Sequence, residues 1–539
     1  MLTAEIINVE KSYGARKMVR TANLKIYDNS RIGIVGKNGS GKSTFLHLIA
    51  GWEKPDKGTV NLWEEPTVIP QMEHSESVFL PKKDRSIWGV PGPEQMKGSG
   101  GEETRKKIAQ AFSTDTRFLL ADEPTSHLDI SGIKQLEKNL QSFKGGIVLI
   151  SHDEMLLNAV CTVIWEMENG IIKEYTGNYS AYQKQKQKEK ELQEKEYESY
   201  KKEKKRLETA AEAKEKLSRQ LKKAPSRMGN SEARLHKRSV GRQKAKLSRA
   251  GKSVEKRITQ LDKKEKPFKH GTLSFEQQPF TPLYGKSAVF LEEGRVFRKG
   301  RLLFHIQPAN ITPGTKLAVI GPNGCGKTTF LQKIYQGEKG IQTAKPAVIG
   351  YFDQQISHLD LKKTVLANMQ EFSPYTEIFI RTVLAGLQFK EEKVHQPVSS
   401  LSGGEQVKVA LIKVMLEPAN ILLLDEPTNY LDIEAKEALK KLIQTYPGTI
   451  IFVTHDREFI ESTATHIMQI KAGEAEINKR LREETAPAIE KDERLLAVLE
   501  MKITEILSRL GSAEGEEKIK LDREFQDLIN QRNERKEQP

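Results

Sequence analysis

Residues 32–49 read IGIVGKNGSGKSTFLHLI, and residues 317–334 read LAVIGPNGCGKTTFLQKI. Each stretch starts with a short apolar run, passes through a glycine-rich loop that ends in Gly-Lys and a hydroxyl residue, and continues with helical spacing. This order predicts a buried strand, a tight loop and a helix, which is the repeating unit of a largely parallel sheet. The two copies therefore predict an α/β fold that is built twice.

The chain between and beyond these stretches repeats in the same way. Two further pairs of segments match: FLLADEPTSHLD (118–129) with ILLLDEPTNYLD (421–432), and IVLISHD (147–153) with IIFVTHD (450–456). The offset between the copies rises from 283 residues at Gln71 and Gln354 to 303 residues at Ser99 and Ser402. The first copy is therefore 20 residues shorter in that interval, as in a duplicated domain with one variable insert.

These repeats suggest four parts. We expect two α/β domains at residues 1–178 and 283–478, a helical-hairpin linker at 179–282, and a helical extension at 479–539. In the extension, two amphipathic stripes with Gly511 and Gly515 between them predict a second, smaller helical hairpin. The first stripe is Leu495, Leu496, Leu499, Ile503, Ile506 and Leu510, and the second is Leu521, Phe525 and Leu528.

The linker carries the basic character of the chain. Residues 181–270 hold 30 Lys and Arg against 13 Asp and Glu, whereas the whole chain has a formal net charge of +14. Pro225 and Gly229 interrupt a helix-forming composition, which predicts two arms and a break. Apolar residues recur along the arms and indicate a coiled-coil seam: Leu207, Leu217 and Leu221 in the first arm, and Val240, Leu247, Val254 and Leu261 in the second. A disordered charged linker is the alternative, and the charge bias points to a polyanionic partner.

Composition excludes several classes of protein. No stretch of the 539 residues approaches the roughly 18 uninterrupted apolar residues of a membrane span. The N-terminal sequence lacks the basic and apolar regions of a secretory signal. Only two cysteines are present, Cys161 and Cys325, which excludes a disulfide framework or a multi-cysteine metal site and predicts a reducing, cytoplasmic location.

The two glycine-rich loops have the chemistry of nucleotide binding. Glycines allow backbone N–H groups to surround a β-phosphate, the lysine neutralises the β- and γ-phosphate oxygens, and the next hydroxyl binds Mg²⁺. The residues predicted to hold the phosphates are Gly36, Asn38, Gly39, Gly41, Lys42, Ser43 and Thr44 in the first loop, and Gly321, Asn323, Gly324, Gly326, Lys327, Thr328 and Thr329 in the second.

Carboxylates recur after two further strands. Asp122-Glu123 and Asp425-Glu426 end apolar strands, each 23 residues after the serine of a Ser-Gly-Gly motif. The aspartate is predicted to hold Mg²⁺ through water, and the glutamate to orient or deprotonate an attacking water. A histidine follows another strand in each copy, and its recurrence favours a γ-phosphate contact over a purely structural role. The predicted catalytic residues are Glu123, Glu426, His152 and His455.

Ser-Gly-Gly-Glu at 99–102 and 402–405 resembles the signature loop of ATP-binding-cassette ATPases. In that superfamily two cassettes face each other head to tail, and each ATP lies between the P-loop of one cassette and the signature of the other. The resemblance implies two ATP and Mg²⁺ sites. Site one would combine Lys42, Ser43, Gln71, Asp122, Glu123 and His152 with Ser402, Gly403 and Gly404. Site two would combine Lys327, Thr328, Gln354, Asp425, Glu426 and His455 with Ser99, Gly100 and Gly101.

The same resemblance implies further roles and shows one departure. The implied Mg²⁺ ligands are Ser43, Gln71, Asp122, Thr328, Gln354 and Asp425. Tyr13 and Phe297 resemble the aromatic that stacks on adenine, although a place in the apolar core would equally explain Phe297. The signature of the superfamily begins with leucine; Leu401 fits, but Gly98 replaces it in the first copy. We therefore expect site two to bind ATP and to hydrolyse it more slowly than site one.

Nearly the whole chain resembles the ABC-F family: it has two cassettes, DEPTSHLD and DEPTNYLD, and GNYSAY at 177–182 before a long basic hairpin. The resemblance implies a monomeric ATPase that enters the tRNA exit site of the 70S ribosome and directs its hairpin at 23S rRNA and the P-site tRNA. Only 28 residues separate Gln71 from Ser99, so the arm subdomain of some members is absent. This organisation resembles the ribosome-protection branch of the Vga, Msr and VmlR type, which implies relief of inhibition by peptidyl-transferase-centre antibiotics.

The hairpin is expected to make the RNA contacts. Residues 221–254 hold 11 Lys and Arg against one acidic residue, Glu232, whereas a solvated helix normally mixes both signs. Met228 is flexible and suits an irregular RNA pocket, although it could equally pack the turn itself. The predicted RNA-binding residues are Lys222, Lys223, Arg227, Met228, Arg234, Lys237, Arg238 and Arg242.

Three other functions compete with this one. A housekeeping ABC-F factor of translation or ribosome assembly would share every ATPase residue. A DNA-acting cassette ATPase is less consistent with the charge distribution, because residues 479–539 are nearly neutral. A transporter subunit is weaker still, because tandem cassettes with a long basic rod offer no obvious site for a membrane partner.

Overall fold

The apolar runs RIGIV, FLLAD and GIVLI of the first copy form neighbouring parallel strands. The runs KLAVI, ILLLD and TIIFV of the second copy form the same arrangement. Their side chains are buried on both faces, as β-branched and leucine side chains are in a sheet covered by helices. The predicted α/β fold is confirmed in both copies. The strands that carry the repeated motifs pair in parallel, whereas the N-terminal strands of each copy pair mainly antiparallel.

The computed structural model describes residues 1–14, 16–70, 88, 100–220, 230–261, 275, 280–298, 300–353, 359–389, 391–429, 431–479 and 526. The chain divides into two compact units, Met1–Asn478 and Lys479–Pro539. Almost all of the second unit, including both amphipathic stripes expected there, lies outside the described residues.

The first copy, called cassette 1, contains one ten-stranded sheet with the order β3-β1-β2-β10-β9-β4-β8-β7-β6, in which β5 pairs with β1. Its strands are β1 (Leu2–Tyr13), β2 (Arg16–Arg20), β3 (Leu24–Tyr27), β4 (Arg31–Val35), β5 (Lys57–Leu62), β6 (Thr67–Ile69), β7 (Phe118–Asp122), β8 (Gly146–Ile150), β9 (Val163–Glu168) and β10 (Ile171–Thr176). Its helices are α1 (Lys42–Ile49), α2 (Gly100–Ser113), α3 (Ile130–Ser142) and α4 (Glu154–Val160).

Two long helices follow and pack along each other: α5 (Tyr179–Gln220, 42 residues) and α6 (Asn230–Gln260, 31 residues). At 1.5 Å per residue, α5 is roughly 60 Å long. Leu207 and Val254 are buried between them, but Leu217 is 56% exposed. The prediction that Leu217 belongs to the packed stripe is therefore wrong, and the break around Pro225 lies outside the described residues.

The second copy, called cassette 2, contains a three-stranded sheet (β14-β11-β16) and an eight-stranded sheet (β12-β13-β21-β20-β15-β19-β18-β17). Its strands are β11 (Val289–Leu291), β12 (Gly294–Arg298), β13 (Arg301–Ile306), β14 (Ala309–Ile311), β15 (Lys316–Ile320), β16 (Ile341–Thr343), β17 (Ile349–Phe352), β18 (Ile421–Asp425), β19 (Thr449–Val453), β20 (His466–Lys471) and β21 (Glu474–Lys479). Its helices are α7 (Lys327–Gln336), α8 (Val365–Gln370), α9 (Glu377–Gly386), α10 (Glu391–Val394), α11 (Gly403–Met415), α12 (Ile433–Thr445) and α13 (Arg457–Thr463), with a 3-10 turn at Val398–Ser400.

The two cysteines are unpaired, and Cys161 is buried in the core of cassette 1. Within the described part of the chain, no helix combines the length and the apolar character needed to cross a membrane.

Candidate nucleotide sites at the cassette interface

The first P-loop joins β4 to α1. Gly41 caps α1 with φ 103°, and a Cβ there would lie 2.6 Å from the carbonyl oxygen of Met18, so the position requires glycine. Lys42 is 8% exposed, and its Nζ donates to the carbonyl groups of Gly36 (2.8 Å) and Lys37 (3.1 Å). The loop lines a cavity at the N-terminus of α1, where backbone N–H groups and the helix dipole favour an anion.

The second P-loop joins β15 to α7 and has the same conformation. Gly326 caps α7 with φ 109°. Lys327 donates from Nζ to the carbonyl groups of Gly321 (2.9 Å) and Pro322 (3.1 Å). The two loops therefore share one geometry despite different sequences, and their glycine-rich backbone and lysine are the groups that suit a phosphate.

Asp122 and Asp425 end β7 and β18 beside the hydroxyl groups that follow the loop lysines. Burial raises the pKa of both carboxyl groups, and hydrogen bonds donated by Ser43 and Thr328 oppose that shift. Asp122 Oδ1 has no hydrogen-bond partner among the described residues. A buried carboxylate oxygen beside a hydroxyl oxygen is a set of hard donors that fits Mg²⁺.

A glutamate and a histidine meet in each cassette. Burial raises the pKa of Glu123 to about 7 and that of Glu426 to about 8. Their φ values of 46° and 51° lie in the left-handed region, which is strained for residues with a Cβ.

The histidine ring completes each pair. His152 Nε2 lies 3.4 Å from Glu123 Oε1, and His455 Nε2 lies 3.3 Å from Glu426 Oε1. Burial lowers the pKa of both rings, that of His152 well below its usual range and that of His455 to about 3. Each cassette thus combines a neutral imidazole with a carboxyl group that can exchange a proton near neutral pH.

The signature of cassette 2 begins α11. Ser402 and Glu405 form a reciprocal capping box in which the Ser402 N–H donates to the Glu405 carboxylate at 3.1 Å. Gly404 lines the cavity, whereas Gly403 does not.

The signature of cassette 1 is placed in part. Gly100 and Gly101 begin α2, while Ser99 and Gly98 lie outside the described residues. A Cβ at Gly101 would lie 2.5 Å from Asn323 Nδ2, so this glycine is packed against the P-loop of the other cassette. The expectation that Gly98 slows site two stays a prediction.

Each P-loop meets the segment that follows the Asp-Glu motif of the other cassette. The Asn38 N–H donates to Asp432 Oδ2 at 3.2 Å, and the Asn323 N–H donates to Asp129 Oδ2 at 3.3 Å. Asp129 and Asp432 also cap α3 and α12. Asn323 Nδ2 donates to the backbone carbonyl of His127 at 2.7 Å. The cassettes therefore face each other head to tail.

Apolar and ionic contacts hold the same interface. Ile130 of cassette 1 packs against the core of cassette 2, and Ile433 of cassette 2 packs against the core of cassette 1. Arg457 of cassette 2 lies 3.0 Å from Glu137 of cassette 1. Each cassette thus packs one isoleucine against the core of the other, so a single interface contains both sites.

A continuous cavity of about 2700 Å³ lies along this interface. The predicted site residues that line it are Gly36, Asn38, Gly39, Gly41, Lys42, Ser43, Thr44, Gly101, Asp122, Glu123, His152, Asn323, Gly324, Gly326, Lys327, Thr328, Thr329, Ser402, Gly404, Asp425, Glu426 and His455. Gly100 and Gly321 adjoin this set without lining the cavity. Gln71 and Gln354 lie outside the described residues.

The two predicted adenine-stacking aromatics are exposed. Tyr13 is 49% exposed at the end of β1, and its hydroxyl donates to Glu53 Oε2 at 2.5 Å. Phe297 is 44% exposed on β12, so the alternative that it belongs to the apolar core is wrong. Neither side chain lines the cavity.

The predicted RNA-binding residues are placed only in part. Lys222, Lys223, Arg227 and Met228 lie outside the described residues. Arg234, Lys237 and Arg238 belong to α6, and Arg242 on the same helix is exposed.

Asp129 and Asp432 are interface positions that are not among the residues predicted from the sequence. Both close the repeated DEPT motif segments, SHLD and NYLD, so their recurrence was a usable signal. Each aspartate also accepts from an asparagine N–H of the other cassette, and no local pattern reveals that contact.

Comparisons with known proteins agree with this geometry. A family model described as "ABC transporter" matches residues 19–87 and 307–429, and a second model with the same description matches residues 165–240. The ribosome protection protein VmlR of Bacillus subtilis is 31% identical over 537 residues, which cover 97% of this chain and 96% of that protein.

Two further similarities extend the comparison. The erythromycin resistance ATP-binding protein MsrA of Staphylococcus epidermidis is 32% identical over 447 residues, which cover 81% of this chain and 91% of that protein. Among solved structures, the archaeal ribosome recycling factor aABCE1, in complex with the stalk protein aP1, superposes with a TM-score of 0.58 at 19% identity, covering 91% of this chain and 92% of that one. At that identity the likeness shows the fold alone.

Proposed function

This chain belongs to the ABC-F family of ATP-binding-cassette ATPases, and from that membership we propose that it is an ATP-dependent ribosome-binding protein that relieves inhibition by antibiotics of the peptidyl-transferase centre. The chain is an ATPase. Its partner is then the 70S ribosome. The protein would bind in the tRNA exit site, from which its basic hairpin would reach 23S rRNA and the P-site tRNA.

One observation carries the proposal: the base of the hairpin lines the same cavity as the two P-loops. Tyr179, Tyr182 and Gln183 of α5 all border it. Gln183 Nε2 donates to Glu154 Oε2 at 3.1 Å, and Glu154 begins α4, two residues after His152. A change at the nucleotide therefore has a short path to the hairpin.

The ATP roles follow from the site chemistry. Lys42 and Lys327 would release their loop carbonyls to bind phosphate, and Ser43 with Asp122, and Thr328 with Asp425, would hold Mg²⁺. The ion, when bound, would neutralise phosphate charge. The residue that would accept a proton from the attacking water is Glu123 in site one and Glu426 in site two.

The trans contacts would complete each site. Ser402 with Gly403 and Gly404 would bind the nucleotide at site one, and Ser99 with Gly100 and Gly101 would do so at site two. His152 and His455 would contact the γ-phosphate as neutral donors. Tyr13 and Phe297 would stack on adenine, which is consistent with their exposure.

The hairpin supplies the RNA chemistry. Its excess of Lys and Arg over acidic residues is greatest around the tip, and exposed cations release counterions when they bind phosphates. Two relatives are named for ribosome protection and for erythromycin resistance, and each aligns over more than four fifths of this chain. The first name supports the choice of the ribosome as partner, and the second supports a role in antibiotic resistance.

The partner is tested by co-sedimentation. The full chain carrying Glu123→Gln and Glu426→Gln should pellet with 70S ribosomes in ATP but not in ADP, and the bound fraction should fall steeply with salt. Duplex DNA as competitor serves as the control. Preferential binding to DNA, or the same ribosome binding in ATP and ADP, would overturn the proposal.

Antibiotic relief is tested at the hairpin. Replacing 225–230 with a Gly-Ser turn should preserve ATPase activity and most ribosome binding, and remove rescue of translation from a peptidyl-transferase inhibitor. Neutralising Arg234, Lys237 and Arg238 should instead weaken ribosome binding and flatten its salt dependence. If the turn-replaced protein still rescued translation, the housekeeping alternative would gain.

A further inference from the structure

Two basic residues occupy equivalent positions after the two signatures. Arg105 lies on α2 and Lys408 lies on α11, each six residues after the signature serine. Arg105 Nη2 donates to Asp129 Oδ2 at 2.8 Å, and the Asp129 side chain is only 4% exposed. The positive charge of Arg105 is thus paired with Asp129, the aspartate that accepts a hydrogen bond from the second P-loop.

Lys408 does not form the corresponding ion pair with Asp432 among the described residues. It is 5% exposed, and among the described residues its ammonium makes no hydrogen bond and no ion pair within 4 Å, although the carboxylates of Asp432 and Glu405 act on its charge from farther away. Asp432, the counterpart of Asp129, accepts instead from Gln388 Nε2 at 3.0 Å. A nearly buried ammonium without a direct acceptor is less stable than a paired one, so an anion beside it would be favoured.

Lys408 belongs to cassette 2 but faces site one. It lines the cavity together with Lys42, Asn38 and Ser402. Burial lowers the pKa of Lys42, and repulsion from Lys408 adds to that shift. Burial and then Lys42 lower the pKa of His152, and Lys408 contributes again. Its charge is therefore felt by the P-loop lysine and by the histidine predicted to contact the γ-phosphate.

We propose that Lys408 binds the terminal phosphate of the ATP held by the first P-loop, as a cation supplied across the interface. Site two lacks this contact, because the equivalent Arg105 is held by Asp129. The inference rests on the proposed ATP sites. A third cation on the γ-phosphoryl oxygens would stabilise the negative charge that phosphoryl transfer places there. ADP lacks that phosphate, so the contact discriminates ATP from ADP.

The test isolates site one. A parent carrying Lys327→Ala, to weaken site two, and Glu123→Gln, to stop hydrolysis, is titrated with ATP and with ADP by calorimetry. Adding Lys408→Met should weaken ATP binding roughly ten- to hundredfold and ADP binding less than about twofold. Lys408→Arg should recover most of the ATP affinity, because it restores the cation.

The controls separate the possible failures. Arg105→Met in the same parent should leave the ATP-to-ADP preference of site one unchanged, and Lys408→Gln, which keeps the polar stem, replaces Lys408→Met if the latter melts early. An equal loss for ATP and ADP, or no loss, would overturn the role of Lys408 while leaving the proposed function intact. If the parent itself bound no ATP, the site assignment would fail with it.

Discussion

Site one and site two share their motif residues but differ in the contacts that close them. At site one the side-chain oxygen of Asn38 lies 3.2 Å from His152 Nε2 of its own cassette, and at site two the side-chain amide of Asn323 donates to the His127 carbonyl of the other cassette. Asp129 is paired with Arg105, whereas Asp432 is held by Gln388. The motif residues that could bind phosphate are thus the same in both sites. The residues that surround them differ, and these neighbours distinguish the two sites.

The largest effect is expected when both water-activating carboxylates are removed. Glu123→Gln with Glu426→Gln should lower ATP turnover by about a hundredfold or more while ATP binding persists, because the group that accepts the proton is lost. Steady-state phosphate release and equilibrium nucleotide binding are the two measurements. Glu123→Gln alone should slow turnover more than Glu426→Gln alone if site two is the weaker site. Wild-type turnover in the double variant would refute the assignment of both glutamates.

The next effect is steric and starts at site two. Gly101→Ala would place a Cβ 2.5 Å from Asn323 Nδ2 and 2.6 Å from the His127 carbonyl oxygen, so the contact that closes site two would be pushed apart. Because the two sites share one interface, opening this contact should also slow site one, and ATP turnover should fall roughly ten- to hundredfold. Gly251→Ala is the control, because a Cβ there has nothing within 4 Å. Unchanged turnover in Gly101→Ala would mean that this contact does not govern hydrolysis.

A smaller difference is expected between the two aspartates. Asp129→Asn keeps the helix cap but leaves Arg105 without a carboxylate, and should lower the free energy of unfolding by about 2–3 kcal/mol. Asp432→Asn is the matched variant; it should cost less than Asp129→Asn, because Gln388 can still donate to the amide oxygen and the nearby lysines, Lys42 and Lys408, form no direct ion pair with this carboxylate among the described residues. Urea unfolding measures both. Equal losses would show that the Arg105 pair adds nothing.

The smallest effect is a pH dependence at the histidine segments. Glu154 follows the first histidine by two residues, where the second copy has Arg457. Burial, and then repulsion from Glu458, raise the pKa of Glu154 to about 7. The folded protein therefore holds a proton that the unfolded chain has released, and the stabilisation present below the ordinary pKa of 4.5 is lost as the pH rises through about 7.

Glu154→Gln should remove that loss. Its melting temperature should exceed that of the wild type by a few degrees at pH 8, and the difference should shrink toward pH 5. Glu198→Gln, on an exposed part of α5, is the control. A difference that did not change with pH would mean that Glu154 does not titrate in this range.

The sequence predicted the parts of this comparison that depend on local pattern. Strand, loop and helix around Lys42 and Lys327 follow from glycine spacing and apolar runs, and the Asp-Glu pairs follow from strand ends. Both copies contain the same motifs in the same order, so each copy supports the prediction that is made from the other.

What the sequence did not predict depends on how the cassettes meet. Asn323 and Asp129 are 194 residues apart, and their contact requires the relative placement of two folded domains. Leu217 matched an apolar stripe, but it is exposed because the packing of α5 on α6 selects other positions. The sequence could not predict that Arg105 forms an ion pair and Lys408 does not. Both are basic residues at the same position after the signature, and only their neighbours in the folded protein distinguish them.

Whether each ATP is bound by both cassettes can be decided by a structure of the Glu123→Gln, Glu426→Gln protein with Mg²⁺ and ATP. We expect two ATP molecules, one between the first P-loop and Ser402, the other between the second P-loop and Gly101. Lys408 should contact only the first. Nucleotide held by the P-loops alone, with the signatures turned away, would contradict this expectation.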